Sequence, residues 1–271
     1  MALITISRNV GSGGEKIAKR VANDLNLELY DDSRLQETAV KMGVPVEELN
    51  RLDEKAPGLF DRMLSKKPEV YLDMMEAVVY DIAHQGKGVI LGHGSQILLR
   101  DFDCALHVYV HSTGSSRLRY IMEQRGIGKD AAEKFIRKSD SRQKGFFQFA
   151  FRLDWNDPSL YDLIINTEKM GIDSAVALIT EAAQSENVLA CSLKAVDAME
   201  MMSQEKKVEA ALLKNDINLI LLNIEVPEIG VAHISGSVYS PSEIEKISQI
   251  VKGVDGISEV KNDTVPMPAS V

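Results

Sequence analysis

Cysteine is scarce in this sequence, and its two cysteines, Cys104 and Cys191, lie far apart along the chain. Such a pair has neither the spacing of a metal site nor the pattern of a disulfide framework. We therefore expect both residues to be free thiols in a reducing compartment, packed as small core or surface side chains.

Long apolar runs are lacking as well. No segment approaches the roughly 18 consecutive apolar residues that a membrane-spanning helix needs. Residues 1–8 are too short and too β-branched for the apolar part of a signal peptide, and they have the composition of a buried strand. With no export signal, the sequence predicts a cytoplasmic protein.

Basic residues are outnumbered: 31 lysines and arginines stand against 40 acidic residues, which gives a net charge of −9. Nucleic acid binding relies on basic surfaces, so this balance argues against a nucleic acid partner. The 45% hydrophobic content is ordinary for a globular protein, and 271 residues suffice for one large or two smaller domains.

Strand-like and helix-like segments alternate over the first two thirds of the chain. Strands are predicted over residues 3–6, 27–30, 89–91, 105–110 and 163–165. Helices are predicted over residues 15–25, 33–85 with breaks at Gly43, Pro57-Gly58 and Pro68, 117–125, 131–138 and 173–183. This alternation implies right-handed crossovers, and therefore an α/β fold with a mainly parallel sheet and helices on both faces.

A second pattern begins after residues 185–203, where the alternation stops. We interpret this stretch as a connector between a domain of residues 1–187 and a small α+β domain of residues 200–265. Its apolar residues 188–193 are a candidate packing or homodimer contact. The second domain is predicted in the order α-β-β-α-β, with elements at Ser203 (a helix cap), 217–226, 229–238, Ser240 (a capping box followed by Pro241) and 257–260.

The glycine loop Gly11-Ser12-Gly13-Gly14 lies between the first strand and the first helix. Glycines let backbone N–H groups approach phosphate oxygens, and the helix N-terminus adds a favourable partial charge. We predict that this loop, with Glu15 and Lys16, binds the phosphates of a nucleotide. The alternative is a turn that needs only small residues.

The loop departs from the Walker A pattern G-x-x-x-x-G-K-[ST]. Gly14 stands where the lysine belongs and Glu15 where the hydroxyl residue belongs, so a cation and a magnesium ligand are missing. Arg8, at the end of the first strand, is a candidate to supply the charge. The alternative for Arg8 is a plain surface residue.

Polar residues also end two other predicted strands, and ligands of parallel sheets bind at these carboxyl ends. Asp31 and Asp32 are suited to hold hydrated magnesium or an acceptor hydroxyl, or to cap the following helix. Asn166 and Thr167 are candidates to touch the donor nucleotide, or to cap the last helix.

Arginines are frequent on the helices predicted after the fourth strand: Arg117, Arg119, Arg125, Arg137 and Arg142. Phosphoryl transfer needs cations around the moving phosphate. Arg117 and Arg142 are therefore catalytic candidates, and Arg119 and Arg125 are substrate-binding candidates. The alternative is a solvated helix face that pairs with Glu123 and Glu133.

Together these motifs resemble the cytidylate kinase-like family over roughly residues 1–185. The resemblance rests on residues 4–8 with the glycine loop, Tyr30-Asp31, residues 89–94 and residues 154–167. It implies a P-loop kinase fold, ATP as the phosphoryl donor, and Mg²⁺. It also implies that Asp31 is the preferred acidic residue for metal or acceptor.

Two positions differ from the family pattern. The family usually has an arginine between the glycines of Gly92-His93-Gly94, which the resemblance places in the substrate site. The family also has an arginine three residues after the lid aspartate, here Asp140, whereas Arg142 is one place early. Both changes remove or shift positive charge near the expected phosphates.

The second domain resembles a BON domain over about residues 200–264. The resemblance is carried by residues 206–212, 234–238 and 254–262, and most of all by Gly236 and Gly256. It implies a phospholipid or protein partner, and nothing in this stretch has a catalytic pattern.

The leading hypothesis is a phosphotransferase that moves the γ-phosphoryl group of ATP to a small acceptor such as a pyrimidine nucleoside monophosphate. Its rival is a degenerate P-loop domain that senses nucleotide and signals through the second domain, because the lysine is missing and Arg142 is displaced. A third hypothesis makes the second domain an adaptor that recruits a protein or a membrane.

Overall fold

The computed structural model describes residues 3–42, 68–186, 188 and 190–267. The predicted helix breaks at Gly43 and Pro57-Gly58 lie outside these residues. Within the described ranges, no helix combines the length and the apolar character that crossing a bilayer requires.

A five-stranded parallel sheet forms the centre of the first domain. Its strands pair in the order β2-β3-β1-β4-β5, and every pair is parallel. The strands are β1 (Leu3–Arg8), β2 (Leu29–Tyr30), β3 (Gly88–Leu91), β4 (Ala105–His111) and β5 (Leu163–Asn166). All five predicted strands are therefore confirmed, because buried parallel strands are apolar runs that the sequence displays directly.

Seven helices surround this sheet within the described residues. They are α1 (Gly14–Asp24), α2 (Asp32–Lys41), α3 (Pro68–Ala83), α4 (Ser95–Leu98), α5 (Gly114–Arg125), α6 (Lys129–Ala150) and α7 (Thr167–Gln184). The predicted break at Pro68 is the start of α3, where proline is tolerated because the first N–H of a helix has no partner within it. Helix α6 is far longer than the predicted segment 131–138.

Helices cover both faces of the sheet, as predicted. Alternate residues of β1 point to opposite faces: Leu3 joins a core with α2 and α3, and Ile4 joins a core with α1 and α7. The carboxyl ends of the strands remain at one edge, which holds the glycine loop and the predicted site residues that follow β2, β3 and β5.

The second domain has the predicted order α-β-β-α-β. Its elements are α8 (Leu193–Lys214), β6 (Leu222–Glu228), β7 (Val231–Val238), α9 (Pro241–Lys252) and β8 (Glu259–Pro266). Strands β6 and β7 are antiparallel, and β7 and β8 are parallel. Their apolar face packs against α8 and α9 in a separate core.

The predicted helix cap at Ser203 is wrong, because helix α8 already includes the last part, residues 193–203, of the predicted connector 185–203. Helix α8 begins at Leu193, where the Ser192 hydroxyl accepts a hydrogen bond from Ala195 N at 3.1 Å. Ser203 lies inside the helix, buried, and its hydroxyl donates to the carbonyl of Ala77 on α3. Packing against α3 stabilises the helix on the N-terminal side of Ser203, so it begins at Leu193 and not at the predicted cap.

Helix α8 contributes to both domains. Met199, in its first half, belongs to the core of the first domain, and Val208 and Leu212 belong to the core of the second. One continuous helix therefore packs in the cores of both domains and crosses the predicted boundary between residues 187 and 200.

The capping box predicted at Ser240 is also wrong in its detail. The Ser240 hydroxyl contacts Ser242 and makes no capping bond, while the Glu243 carboxylate accepts a hydrogen bond from Tyr239 N at 2.9 Å. Pro241 does begin α9, as predicted.

The expectation of free thiols is contradicted: Cys104 and Cys191 form a disulfide, with their Cα atoms 4.9 Å apart. Cys104 precedes β4, and Cys191 directly precedes the Ser192 cap of α8. The distance along the chain misled the prediction, because the fold returns the connector to the start of β4. The bond fastens the beginning of α8 to the first domain.

A charge cluster lies where α8 packs on α3. The Lys206 Nζ atom is 2.6 Å from Glu209 Oε2, 3.4 Å from Glu76 Oε2 and 3.8 Å from Asp73 Oδ1. Burial, followed by the neighbouring Glu209, raises the pKa of Asp73 to about 7. Burial also raises the pKa of Glu76.

These shifts predict a fold that loses stability as pH rises. The folded chain retains a proton on Asp73 that the unfolded chain releases near pH 3.8, so this group's contribution declines as pH rises from there to about 7. We expect Asp73→Asn to flatten this decline and to raise the melting temperature at pH 8. Thermal unfolding at pH 5 to 8 measures the slope, with the exposed Asp101→Asn as the control; a slope unchanged by Asp73→Asn contradicts the prediction.

Candidate functional site

The glycine loop between β1 and α1 is held through both the hydroxyl and the carbonyl group of Ser12. The Ser12 hydroxyl donates to the carbonyls of Asn9 at 2.8 Å and Val110 at 3.1 Å. The Thr167 hydroxyl donates to Ser12 O at 2.9 Å. In a trans peptide the C=O and the next N–H point in opposite directions, so tying Ser12 O back aims the Gly13 N–H away from Thr167.

The start of α1 lacks a side-chain cap. Gly13 is the N-cap residue and provides no side-chain hydrogen bond to the first turn. The first N–H groups of a helix have no partner within it, and they carry the positive end of the helix dipole. Loop and helix start therefore have the geometry of a phosphate site.

Arg8 lies across the start of α1. It is 7% exposed, and a Cβ on Gly14 would lie only 2.5 Å from Arg8 Cβ and 2.9 Å from Arg8 Cγ. The arginine side chain thus occupies the space beside the position where a Walker A loop has its lysine. Glycine at position 14 is required because any side chain there would collide with Arg8. The alternative of a plain surface residue is wrong for Arg8.

The two aspartates after β2 have different roles. Asp31 caps α2: its Oδ1 accepts from Arg34 N at 3.1 Å and from the Ser33 hydroxyl at 2.7 Å. Asp32 Oδ1 lies 3.1 Å from His93 Nε2, and these two side chains are 15% and 4% exposed. The capping alternative is therefore observed for Asp31, and Asp32 pairs with the histidine that follows β3.

The segment Gly92-His93-Gly94 has left-handed backbone angles at all three residues. A Cβ on Gly94 would lie 2.3 Å from the Phe151 ring, so the end of α6 packs directly on this segment. Phe151 belongs to an aromatic cluster in which Trp155 is 4% exposed. Trp155 is therefore a core residue of this cluster.

The arginines of α5 and α6 do not converge on one point. Arg125 lies over the Phe135 ring at 3.9 Å, Arg137 pairs with Glu133 at 3.5 Å, and Arg119 is exposed. Arg142 lies in the second half of α6, and Arg117 points to the loop. The alternative of a solvated, paired face is therefore observed for Arg137.

The residues that end β5 mainly organise the backbone. Asn166 caps α7 by accepting from Glu168 N at 3.0 Å, and Thr167 reaches the loop at Ser12 O. Lys16 lies over the Tyr120 ring at 5.3 Å, and Glu15 is exposed in the first turn of α1. Direct nucleotide contacts of these four residues stay predictions.

Gln143 is a loop contact that sequence reasoning missed. Its amide donates to Arg8 O at 3.4 Å from α6. Gln143 stands three residues after Asp140, where the resembled family has its lid arginine. The position of Gln143 in that alignment is the signal for this contact, in which an amide bonds the backbone where the family has a charge.

The strand order, the glycine loop after β1 and the crossover helices define a P-loop kinase fold. Residues 3–169 match the cytidylate kinase-like family, and the chain belongs to that family. Residues 203–265 match the BON domain.

Relatives match the first domain at low identity. The cytidylate kinase of Pyrobaculum islandicum is 26% identical over 179 residues, which cover 66% of this chain and 90% of that protein. The cytidylate kinase of Staphylothermus marinus is 28% identical over 184 residues, which cover 67% and 96%. An uncharacterised protein from Eubacterium ventriosum has a similar fold, with a TM-score of 0.51, 22% identity and coverage of 69% of this chain and all of that one.

Proposed function

We propose that this protein transfers the γ-phosphoryl group of ATP to a small acceptor, with a pyrimidine nucleoside monophosphate as the acceptor class. The observation that carries the proposal is the glycine loop, whose carbonyls are tied back while Arg8 crosses the start of α1. Backbone N–H groups of Gly11–Gly14 would hold the donor phosphates, and Arg8 would supply the charge that lysine supplies elsewhere.

Magnesium fits this site as an ion held mainly by phosphates and water. Among the described residues, no group of three or more His, Cys, Asp or Glu side chains could hold a metal ion. Protein side chains of this part of the chain therefore do not form a complete metal site by themselves. Asp31 keeps one carboxylate oxygen outside its capping bonds and would hold a hydrated ion. An ion held there would supply positive charge that offsets the negative charge of the donor phosphates.

The acceptor class is proposed from the relatives, which are named cytidylate kinases. The acceptor would lie at the carboxyl ends of β2 and β3, next to His93 and Asp32, where ligands of such sheets bind. Arg142 and the exposed Arg119 and Arg125 remain proposed contacts to phosphate groups. Catalysis would rest on positioning and electrostatics, because phosphoryl transfer needs little covalent help from the protein.

A second candidate is a nucleotide sensor that signals through the BON domain without phosphoryl transfer. The packing of α8 on α3 favours it, because one helix belongs to both cores. A protein or phospholipid partner of the BON domain would then read the nucleotide state of the first domain.

Two measurements separate these functions. Calorimetric titration with Mg²⁺ and ATP detects binding, and a phosphotransfer panel of nucleoside monophosphates detects catalysis. Transfer to any member of the panel supports the enzyme; tight ATP binding without transfer supports the sensor. Flotation with liposomes tests the adaptor hypothesis separately, because it requires no nucleotide.

Arg8 should matter more for outer phosphates than for inner ones. We expect Arg8→Ala to weaken ATP binding roughly tenfold and AMP binding much less, because the missing charge faces the β- and γ-phosphates. Arg20, which pairs with Asp173 at the surface, provides the Arg20→Ala control. Equal losses for ATP and AMP would show that Arg8 serves the fold alone.

A further inference from the structure

Arg117 is a buried link between the glycine loop and helices α5 and α6. It is 7% exposed, and its Nε donates to Val10 O at 2.7 Å. Its two terminal nitrogens donate to the Asp140 carboxylate at 3.0 and 2.6 Å. Such a two-pronged ion pair fixes the guanidinium in both position and orientation.

The bond to Val10 O determines where the loop points its next N–H group. The C=O of Val10 and the N–H of Gly11 belong to one trans peptide and are directed oppositely. Holding the carbonyl towards α5 therefore aims the Gly11 N–H away from α5. Arg117 thus acts on the Gly11 peptide as Thr167 acts on the Gly13 peptide.

Close packing reinforces the same geometry. A Cβ on Gly11 would lie 3.0 Å from Arg117 O and 3.2 Å from Arg117 Cβ, so the loop rests directly on α5. The guanidinium donates two hydrogen bonds to the Asp140 carboxylate and one to the loop carbonyl of Val10. The positive charge of Arg117 is therefore paired with Asp140, and its side chain connects Asp140 to the loop backbone.

We infer that Arg117 is a positioning residue: it orients the Val10–Gly11 peptide for phosphate binding, and Asp140 holds it in place from α6. The inference rests on the proposed function, in which this loop binds ATP. It replaces the prediction that Arg117 is a catalytic lid arginine in contact with the phosphate. In this structure the guanidinium of Arg117 bonds both Val10 O of the glycine loop and the Asp140 carboxylate of helix α6.

The sign of the effect of Asp140→Asn distinguishes the two roles. If Arg117 orients the loop, removal of the carboxylate loosens it, and ATP affinity falls roughly tenfold. If Arg117 instead contacts phosphate, the Asp140 carboxylate competes with phosphate for the guanidinium. Removal of that carboxylate then leaves ATP affinity unchanged or raises it. Asp140 is 35% exposed, so this variant does not place an unpaired group deep in the core.

The test combines ATP titration with hydrogen exchange of the backbone amides of residues 9–14, on the full chain. Asp140→Asn and Arg117→Lys should both speed exchange in the loop, because lysine keeps the charge but cannot form the two-pronged pair. The control is Arg137→Ala, which lies on α6 with Asp140. The Arg137 side chain is 70% exposed, so this variant should change neither ATP affinity nor loop exchange.

Each outcome decides. Weaker ATP binding with faster loop exchange in Asp140→Asn supports the inference. Unchanged loop exchange, or equal or tighter ATP binding, overturns it. If the wild-type chain binds no ATP, the proposed function fails, and loop exchange still decides whether Arg117 and Asp140 position the loop.

Discussion

Reduction of the Cys104–Cys191 disulfide should lower the free energy of unfolding by on the order of 4 kcal/mol. The bond joins residues 87 positions apart, and a cross-link over a long loop removes much of the freedom of the unfolded chain. The effect should spread to both domains, because Cys191 precedes α8 and α8 belongs to both cores. Denaturant unfolding with and without a dithiol reductant measures the loss.

The double variant Cys104→Ser/Cys191→Ser provides the control. It should unfold at the midpoint of the reduced wild type, and reductant should leave it unchanged. Thiol titration of the unfolded, unreduced wild type should find no free thiol. Two free thiols in that titration, after incubation with a small-molecule disulfide, would contradict the bond.

Gly13→Val should abolish ATP binding, with an expected loss of at least roughly a hundredfold. Gly13 has φ of +82°, which a β-branched residue adopts only with strain, and a Cβ there would lie 3.3 Å from Ile172. A rotation of the peptide that relieved this strain would turn its N–H group away from the proposed phosphate position. Calorimetric titration of the folded variant measures the loss.

Gly126→Val is the matched control for this loss. Gly126 also has a positive φ, +62°, and it ends α5 in open space with no atom within 4 Å of an added Cβ. The control should cost stability through the same backbone strain and leave ATP affinity unchanged. Equal affinity losses in both variants would mean that strain alone, and not the loop, causes the effect.

The fold of the first domain could be predicted because each of its signals is local. The β1 residues form an apolar run, and the glycine loop follows it at once, so strand, loop and helix are adjacent in the sequence. The second domain was predicted for the same reason, from two strand-like runs and the Pro241 helix start.

The remaining features depend on distances that the sequence does not display. Serine is a residue type that often caps helices, but Ser203 is buried inside α8, where its hydroxyl bonds the Ala77 carbonyl of α3. The cysteines meet because the connector returns to β4. Likewise, Arg117 could be recognised as cationic, but its partner Asp140 depends on how α5 and α6 pack.

Phosphoryl transfer itself tests the central claim most directly. The wild-type chain, with ATP labelled at the γ-phosphate and Mg²⁺, would be incubated with CMP, UMP and the other nucleoside monophosphates. We expect label to appear in a nucleoside diphosphate, faster for pyrimidine than for purine acceptors, with Gly126→Val active and Gly13→Val inactive. A chain that binds ATP in the calorimeter yet transfers label to none of these acceptors would contradict the account.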